Sequence, residues 1–228
     1  MMRQIILDTE TTGLSTTDNH RIIEIGCIEL VNRKLTGNRY HQYINPERSV
    51  DDGALAVHGL SNQFLADKPV FNAVVQEFMD FIDGADLIIH NAPFDVGFMN
   101  YEFSLIKKKW RMIEDHCRII DTLALARQLH VGQRNNLDAL CKRYKIDNST
   151  RELHGALLDA HLLAQVYLAM TGGQGSLFNE LNNTAGIQER TTQNTTLAST
   201  KKSRKLVVLK ATTEELAAHE QKLEELLS

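Results

Sequence analysis

The chain has 228 residues, of which 43% are hydrophobic and 24% are charged, and this is enough for one sizeable core with a small appendage. A formal net charge of −4 excludes a protein that coats nucleic acid through a generally basic surface, so any such substrate must be bound locally. Three scattered cysteines form no CxxC unit, and no run approaches ~18 apolar residues. We therefore expect a reduced, cytoplasmic protein without a zinc site, disulfide or membrane span.

The first predicted element is a buried strand, Ile5-Ile6-Leu7, which leads into the segment DTETTG at 8–13. Because side chains alternate between the faces of a strand, Asp8 and Glu10 point the same way. Two carboxylates at the end of a buried strand repel each other and lose solvation, and a divalent cation would offset both effects. Oxygen ligands favour Mg²⁺ or Mn²⁺. A lone Asp-x-Glu is more often a pair of solvated surface acids, so other parts of the chain must decide.

Two further strands are predicted over residues 21–31 and 34–44, which extend the first strand into an antiparallel meander. A helix from about Pro69 to Ile82 follows, with apolar residues at helical spacing. Glu24 is interpreted as a structural acid of the second strand. His58, beside a glycine, is either a turn residue or a substrate contact, and the residues alone favour the turn.

A second buried strand is predicted at Leu87-Ile88-Ile89, directly before the segment HNAPFD at 90–95. Asn91 and Pro93 are typical of a helix start, which places Asp95 in the first helical turn. There it either benefits from the helix dipole or reaches the edge of the sheet that holds the first two acids, since sites gather where strands end and helices begin.

The segment from 154 to 170 predicts a buried helix, because it is apolar nearly all round. Asp159 lies in its first half, where an unpaired carboxylate would cost several kcal/mol. His154 stands just before the helix. The two side chains either form a hydrogen bond that only fixes the helix end, or share a metal site with the acids of the first strand. Asp121, within a short strand predicted at 118–122, is explained as the cap of the helix that follows.

The acids and the histidine together indicate a two-metal phosphoryl-transfer site. Two cations ~3.5–4 Å apart can hold a scissile phosphate and activate water. An imidazole can take the proton of that water near neutral pH. The residues concerned are Asp8, Glu10, Asp95, Asp159 and His154.

A known family shares this pattern: the DEDDh 3′–5′ exonucleases carry motifs that resemble DTETTG at 8–13, HNAPFD at 90–95 and HGALLDA at 154–160. The resemblance covers about residues 3–178 and is closest to the proofreading subunits of bacterial replicative DNA polymerases. It implies an α/β fold of the ribonuclease H-like type, with a mixed five-stranded sheet flanked by helices. It also implies a 3′–5′ exodeoxyribonuclease that removes mismatched 3′-terminal nucleotides as monophosphates.

The resemblance further assigns roles to individual residues. Two divalent cations, Mg²⁺ or Mn²⁺, would be held by Asp8, Glu10, Asp95 and Asp159, with His154 as the general base. Because His58 also lies in a motif of this family, the resemblance favours a role for it in the substrate pocket. The contacts to the 3′-terminal nucleotide are expected from Asp8, Thr9, Glu10, Thr11, Leu14, His58, Asn91, Phe94 and Asp159.

The predicted organisation is an exonuclease domain at 1–173, a clamp-binding peptide at 174–178, a flexible linker at 179–205 and a polymerase-docking tail at 206–228. The linker is rich in Asn, Thr, Gln and Ser. By resemblance, the tail binds the catalytic subunit of the polymerase and the peptide binds the sliding clamp. A small theta-like subunit is a further candidate partner. The clamp contacts are expected from Gln174, Leu177 and Phe178.

Two other functions stay open at this point. One is an exoribonuclease of the same family, which relative rates on DNA and RNA single strands would distinguish. The other is a binding module with a relic site, serving only to bridge clamp and polymerase, which a metal-dependence assay would distinguish.

Overall fold

The computed structural model of the protein describes residues 2–106, 110–149, 151 and 153–172. The predicted clamp peptide, linker and docking tail lie outside the described residues, so the division of the chain beyond 173 stays a prediction. None of the helices in the described part combines the length and apolarity that a membrane span requires.

A five-stranded mixed sheet forms the centre of the fold, as predicted. Its order is β3-β2-β1-β4-β5. The β1–β2 and β2–β3 pairs are antiparallel, which confirms the meander, whereas β4 pairs in parallel with both β1 and β5. The strands are β1 (Arg3–Thr11), β2 (Ile22–Val31), β3 (Lys34–Tyr43), β4 (Asp86–Ile89) and β5 (Arg118–Asp121).

Helices flank this sheet, and several begin at a residue whose side chain accepts a backbone N–H. Ser61, Asp121 and Asn136 do so at the starts of α2, α5 and α6. The helix predicted from Pro69 begins two residues later, after the extended Val70. The helices are α1 (Asp52–His58), α2 (Asn62–Leu65), α3 (Phe71–Ile82), α4 (Ala92–Leu105), α5 (Thr122–Leu129), α6 (Leu137–Tyr144) and α7 (Ala156–Thr171).

Strand β1 is buried on both faces and separates two cores. Ile5 and Leu7 pack into the core that includes Phe78 of α3 and Met99 of α4. Ile6 points to the opposite face, into the core that includes residues of α6 and α7. Burial on both faces fixes the position of β1, and with it the acids that follow at its end.

A glycine in β2 allows α7 to begin directly against the sheet. Gly26 is paired with Asp8 across β1 and β2. A Cβ atom at Gly26 would come within 2.3 Å of the backbone carbon of Ala156, the first residue of α7. This close approach sets Asp159, one turn into α7, beside the acids of β1.

Candidate active site

The four acids and the histidine predicted from the sequence line one cavity of about 640 Å³. Since β1 and β4 are parallel neighbours whose pairing ends with Leu7 opposite Ile89, the residues that follow these two in the chain lie at the same edge of the sheet. Asp95 reaches this edge from the first turn of α4, which follows β4. Helix α7 contributes Asp159 from its own first turn.

The side chains of this site lie close to one another, and two of the acids are buried. Thr9 Oγ1 donates a hydrogen bond to Asp95 Oδ1 at 2.7 Å. Potential metal-binding atoms of Glu10, His154 and Asp159 all lie within 4.8 Å of one another. Asp95 and Asp159 are each only 3% exposed, so neither can rely on bulk water to stabilise its charge.

Removal from water and mutual repulsion raise the pKa values of three of the acids. The pKa of Asp8 is raised well above its usual range, first by burial and then by the charges of Asp95, Asp159 and Glu10. Burial, with Asp159 and Glu24 nearby, raises the pKa of Glu10 to about 8. Burial raises the pKa of Asp95 to about 7, although the hydrogen bond from Thr9 opposes the shift.

Such a cluster fits divalent cations of the Mg²⁺ type. Its donors are carboxylate oxygens with one imidazole, and hard cations prefer oxygen ligands. A cation among them would remove the repulsion that raises the pKa values of Asp8 and Glu10. The residues present therefore suit the metal dependence that the DEDDh motifs imply.

The same cavity also contains a positively charged side chain that was not predicted from the sequence, that of Arg151. Arg151 has a side chain only 7% exposed, and its Nε and Nη2 donate to the two carboxylate oxygens of Asp159, each at 2.6 Å. Its Nη1 donates to Asp138 Oδ1, also at 2.6 Å. Its charge lowers the pKa values of Asp8 and Glu10, against the larger effects that raise them. Its place three residues before His154 was the only signal in the sequence.

A second cavity, of about 590 Å³, adjoins the first and shares Thr9, Glu10 and Phe94 with it. Three more of the predicted substrate residues also line this second cavity: Thr11, Leu14 and His58. Asn91 lines the first cavity instead. The predicted substrate residues are therefore divided between two adjoining spaces. Those lining the second cavity are Thr9, Glu10, Thr11, Leu14, His58 and Phe94.

His58 is buried, and one of its ring nitrogens is already engaged. The backbone N–H of Leu60 donates to His58 Nδ1 at 3.0 Å, which leaves the ring proton on Nε2. Burial lowers the pKa of His58, so the neutral ring is favoured. A neutral ring with a fixed tautomer can act as a hydrogen-bond donor towards a ligand.

The turn after β1 depends on a histidine that the sequence analysis did not single out. His20 Nδ1 lies 3.0 Å from Thr12 Oγ1. A Cβ atom at Gly13 would come within 2.2 Å of the His20 ring. Gly13 is thus required for the close approach of His20, which supports the turn that bounds the second cavity.

The acids set aside in the sequence analysis do have structural partners. Asp121 Oδ1 accepts the backbone N–H groups of Leu123 and Ala124, which confirms the predicted helix cap. Glu24 is buried, and its Oε1 lies 2.7 Å from His41 Nε2 on the neighbouring strand. Its charge still contributes to the raised pKa of Glu10, its partner across β1 and β2.

Comparison with known proteins agrees with this arrangement. The family model described as exonuclease (RNase_T) matches residues 5–167. The solved structure of exonuclease X with 5′-overhanging duplex DNA is 27% identical, with a TM-score of 0.58 over 75% of this chain and 93% of that one. The nuclease domain of 3′hExo, a DEDDh family member bound to rAMP, has the same fold at 19% identity, with a TM-score of 0.64 over 75% and 92%. Fold and site together define a 3′–5′ exonuclease of the DEDDh class.

Curated relatives narrow this class further. DNA polymerase III subunit epsilon of Escherichia coli (strain K12) is 53% identical over 226 residues, which cover 97% of this chain and 92% of that protein. The same subunit of Haemophilus influenzae is 52% identical over 95% and 88%, and that of Rickettsia conorii is 48% identical over 99% and 97%. The chain belongs to the family of DNA polymerase III epsilon subunits.

Proposed function

We propose that this chain removes mismatched 3′-terminal nucleotides as monophosphates while its replicative polymerase copies DNA. The observation that carries the proposal is the single cavity that contains the acids of β1, α4 and α7 together with His154. Its neighbour, the second cavity, has room for the terminal nucleotide and shares three residues with it.

Two divalent cations, Mg²⁺ or Mn²⁺, would be held by Asp8, Glu10, Asp95 and Asp159. When bound, such cations polarise the scissile phosphate and make an attacking water more acidic. The chain supplies the ligands from three separate elements, each fixed by its own packing. Thr9 holds the Asp95 carboxylate in place through the 2.7 Å hydrogen bond.

His154 would accept the proton of the attacking water. Its side chain is 45% exposed, so the ring can reach a substrate in the cavity. Its backbone N–H donates to the carbonyl oxygen of Val57 at 3.1 Å, which fixes the residue beside α1. For this role one ring nitrogen has to be unprotonated and free of other contacts.

The second cavity would receive the 3′-terminal nucleotide. Leu14, Val57 and Phe94 provide apolar surface for its base and sugar, and His58 lines the same cavity. A mismatched end frays more readily than a paired one, because unpairing and unstacking cost a few kcal/mol. Selection for mismatches then needs no contact that reads the base.

Partner binding is proposed for the region after the exonuclease domain. The tail at 206–228 would bind the DNA polymerase III catalytic (alpha) subunit, and Gln174, Leu177 and Phe178 would bind the sliding clamp. The relatives named above are subunits of DNA polymerase III, which supports an assembly of this kind. A theta-like subunit would be a third partner, and it would bind the exonuclease domain itself.

Digestion of primers with matched and mismatched 3′ ends, with and without Mg²⁺, tests the nuclease proposal. Asp8→Asn keeps the shape of the side chain but removes its charge. We expect cleavage to fall by about 10³-fold or more, because metal catalysis contributes several kcal/mol to the rate. Product analysis should show nucleoside monophosphates.

Asp86→Asn is the matched control. Asp86 is also an acid of a strand, but it pairs with the exposed Arg118 at the start of β4. Its variant should cleave at the wild-type rate. Full activity of Asp8→Asn, or equal activity of the wild type with and without Mg²⁺, would contradict the proposed site.

A further inference from the structure

Arg151 occupies the part of the cavity where cations would bind. Its guanidinium donates to both carboxylate oxygens of Asp159. Asp159 is thereby the one acid of the cluster with a bidentate partner in the described residues. A bidentate guanidinium is a strong, charge-assisted contact, and arginine stays protonated at any physiological pH.

The same guanidinium also engages His154. Arg151 Nη2 lies 2.9 Å from His154 Nδ1. Every guanidinium nitrogen here is a donor, so Nδ1 must be the acceptor, and the neutral ring then carries its proton on Nε2. The carboxylate oxygen Oδ2 of Asp159, 3.5 Å from Nδ1, is too distant to compete for that contact.

This arrangement leaves His154 unable to act as a base. Its unprotonated nitrogen is directed at Arg151, and its other nitrogen already has a proton. Accepting a proton from water requires either Nδ1 to be free of Arg151 or the ring to change tautomer, which also breaks the contact. In this arrangement neither ring nitrogen of His154 is free to accept a proton.

Asp138 offers the guanidinium a second position. It lies in the first turn of α6, and its side chain is 55% exposed, outside the group of acids proposed to bind metal. Arg151 Nη1 already donates to its Oδ1, which also accepts from Asn148 Nδ2 at 3.2 Å. Arg151 can thus release His154 and keep a charged partner.

We propose that Arg151 is an internal counter-cation that stabilises the metal-free site and is displaced from His154 and Asp159 when divalent cations bind. It competes with the metal for Asp159 and keeps the base inactive until the site is loaded. The roles of Asp159 and His154 in this inference rest on the proposed function, whereas the competition for Asp159 does not depend on any substrate.

Calorimetric titration of the full chain with Mn²⁺, in the absence of DNA, tests the competition. In Arg151→Gln we expect Mn²⁺ to bind about tenfold more tightly, since one charge-assisted contact to Asp159 no longer has to be broken. The melting temperature in chelator should fall, and the rise on adding Mn²⁺ should be larger than in the wild type. Loss of a purely structural residue would weaken metal binding, so the direction of the change is decisive.

Arg118→Gln is the matched control, because Arg118 also forms a bidentate pair, with Asp86, far from the cavity. It should leave Mn²⁺ affinity unchanged.

Arg151→Lys keeps the charge but cannot contact both oxygens and the ring at once, so its affinity should lie between those of the wild type and Arg151→Gln. It also provides the test if the glutamine variant does not fold.

Unchanged or weaker Mn²⁺ binding in both Arg151 variants would overturn the inference. Failure of the nuclease proposal is a separate result: the wild type would then cleave no 3′ ends in Mg²⁺, whereas the binding comparison could still be made in full.

Discussion

Two of the site carboxyls, Glu10 and Asp95, release their protons near neutral pH, with pKa values of about 8 and about 7. Metal binding requires the deprotonated forms, so it has to displace protons from this site. The affinity for divalent cations should therefore rise with pH over the range in which these groups titrate. The proposed metal site would thus couple its loading with cations to pH.

In the absence of metal, the stability of the folded protein should depend on pH. The pKa of each carboxyl is higher in the folded protein than the ordinary values of 4.5 for Glu10 and 3.8 for Asp95. The folded state thus binds more protons than the unfolded state between these limits, and the free energy of unfolding falls as pH rises. In chelator, the melting temperature should decrease from about pH 5 to about pH 8.

Thermal unfolding at a series of pH values measures this effect, and a parallel series with saturating Mg²⁺ is its control. Bound cations stabilise the ionised carboxylates, so the decrease should be smaller in Mg²⁺. A melting temperature in chelator that rises steadily from pH 5 to pH 8 would contradict the pKa shifts.

At the scale of the elements, the contact between β2 and α7 decides where Asp159 lies. The absence of a side chain at Gly26 lets the backbone of α7 rest on the strand that pairs with β1. A shift of α7 away from the sheet would move Asp159 away from Asp8 and Glu10. If Asp159 binds metal as proposed, one glycine therefore couples metal binding to the packing of α7.

Gly26→Ala should therefore damage both stability and metal affinity. The added methyl group would meet backbone at 2.3 Å, and backbone cannot move aside as a flexible side chain can. We expect a loss of about 1–3 kcal/mol in the free energy of unfolding, as for other overpacked sites. Mn²⁺ binding should also weaken, which titration calorimetry can measure.

The paired control is Gly97→Ala in α4. Gly97 is exposed, and its added Cβ would have no neighbour within 4 Å. Alanine should stabilise the helix by about 0.5–1 kcal/mol and leave metal binding unchanged. If Gly26→Ala is as stable as the wild type by chemical denaturation, α7 does not depend on this contact.

The elements themselves were largely predictable from the sequence. Alternation and apolar runs located the strands, and Asn91 with Pro93 located the start of α4, since these signals are local. The partners of Arg151 were not predictable in this way. It belongs to a segment without periodicity, and its contacts with Asp138 and Asp159 depend on how α6 and α7 pack. His20 was also missed. Its contact with Thr12 closes a turn, and no local signal in the sequence indicates that contact.

At the scale of the whole molecule, the described residues contain a five-stranded sheet, the two cores on either side of β1 and every residue of the proposed catalytic site. The described residues all belong to one compact unit. The exonuclease domain should therefore fold by itself.

A chain that ends after residue 172 should keep the melting temperature and the Mg²⁺-dependent cleavage of the full chain. The physical reason is that the described residues of the two cores beside β1 all precede residue 173. Primer digestion and thermal unfolding of both chains provide the comparison. An inactive or unfolded truncated chain would show that the domain extends further.

Changes to the region after the exonuclease domain should abolish partner binding without affecting cleavage. Deletion of 206–228 should abolish co-purification with the polymerase catalytic subunit and leave cleavage of free primers unchanged. Alanine at Gln174, Leu177 and Phe178 should abolish clamp binding only. Continued co-purification of the polymerase after the deletion would contradict the proposed tail.

The position of α7 in the chain has a consequence during protein synthesis. Helix α7 is the last described element, and it contributes both Asp159 and a large part of one core. A nascent chain on the ribosome can hold β1, with Asp8 and Glu10, long before Asp159 exists. Translation would thus delay the proposed metal site until nearly the whole exonuclease domain has been made, and a prematurely terminated chain that lacks α7 should carry no nuclease activity.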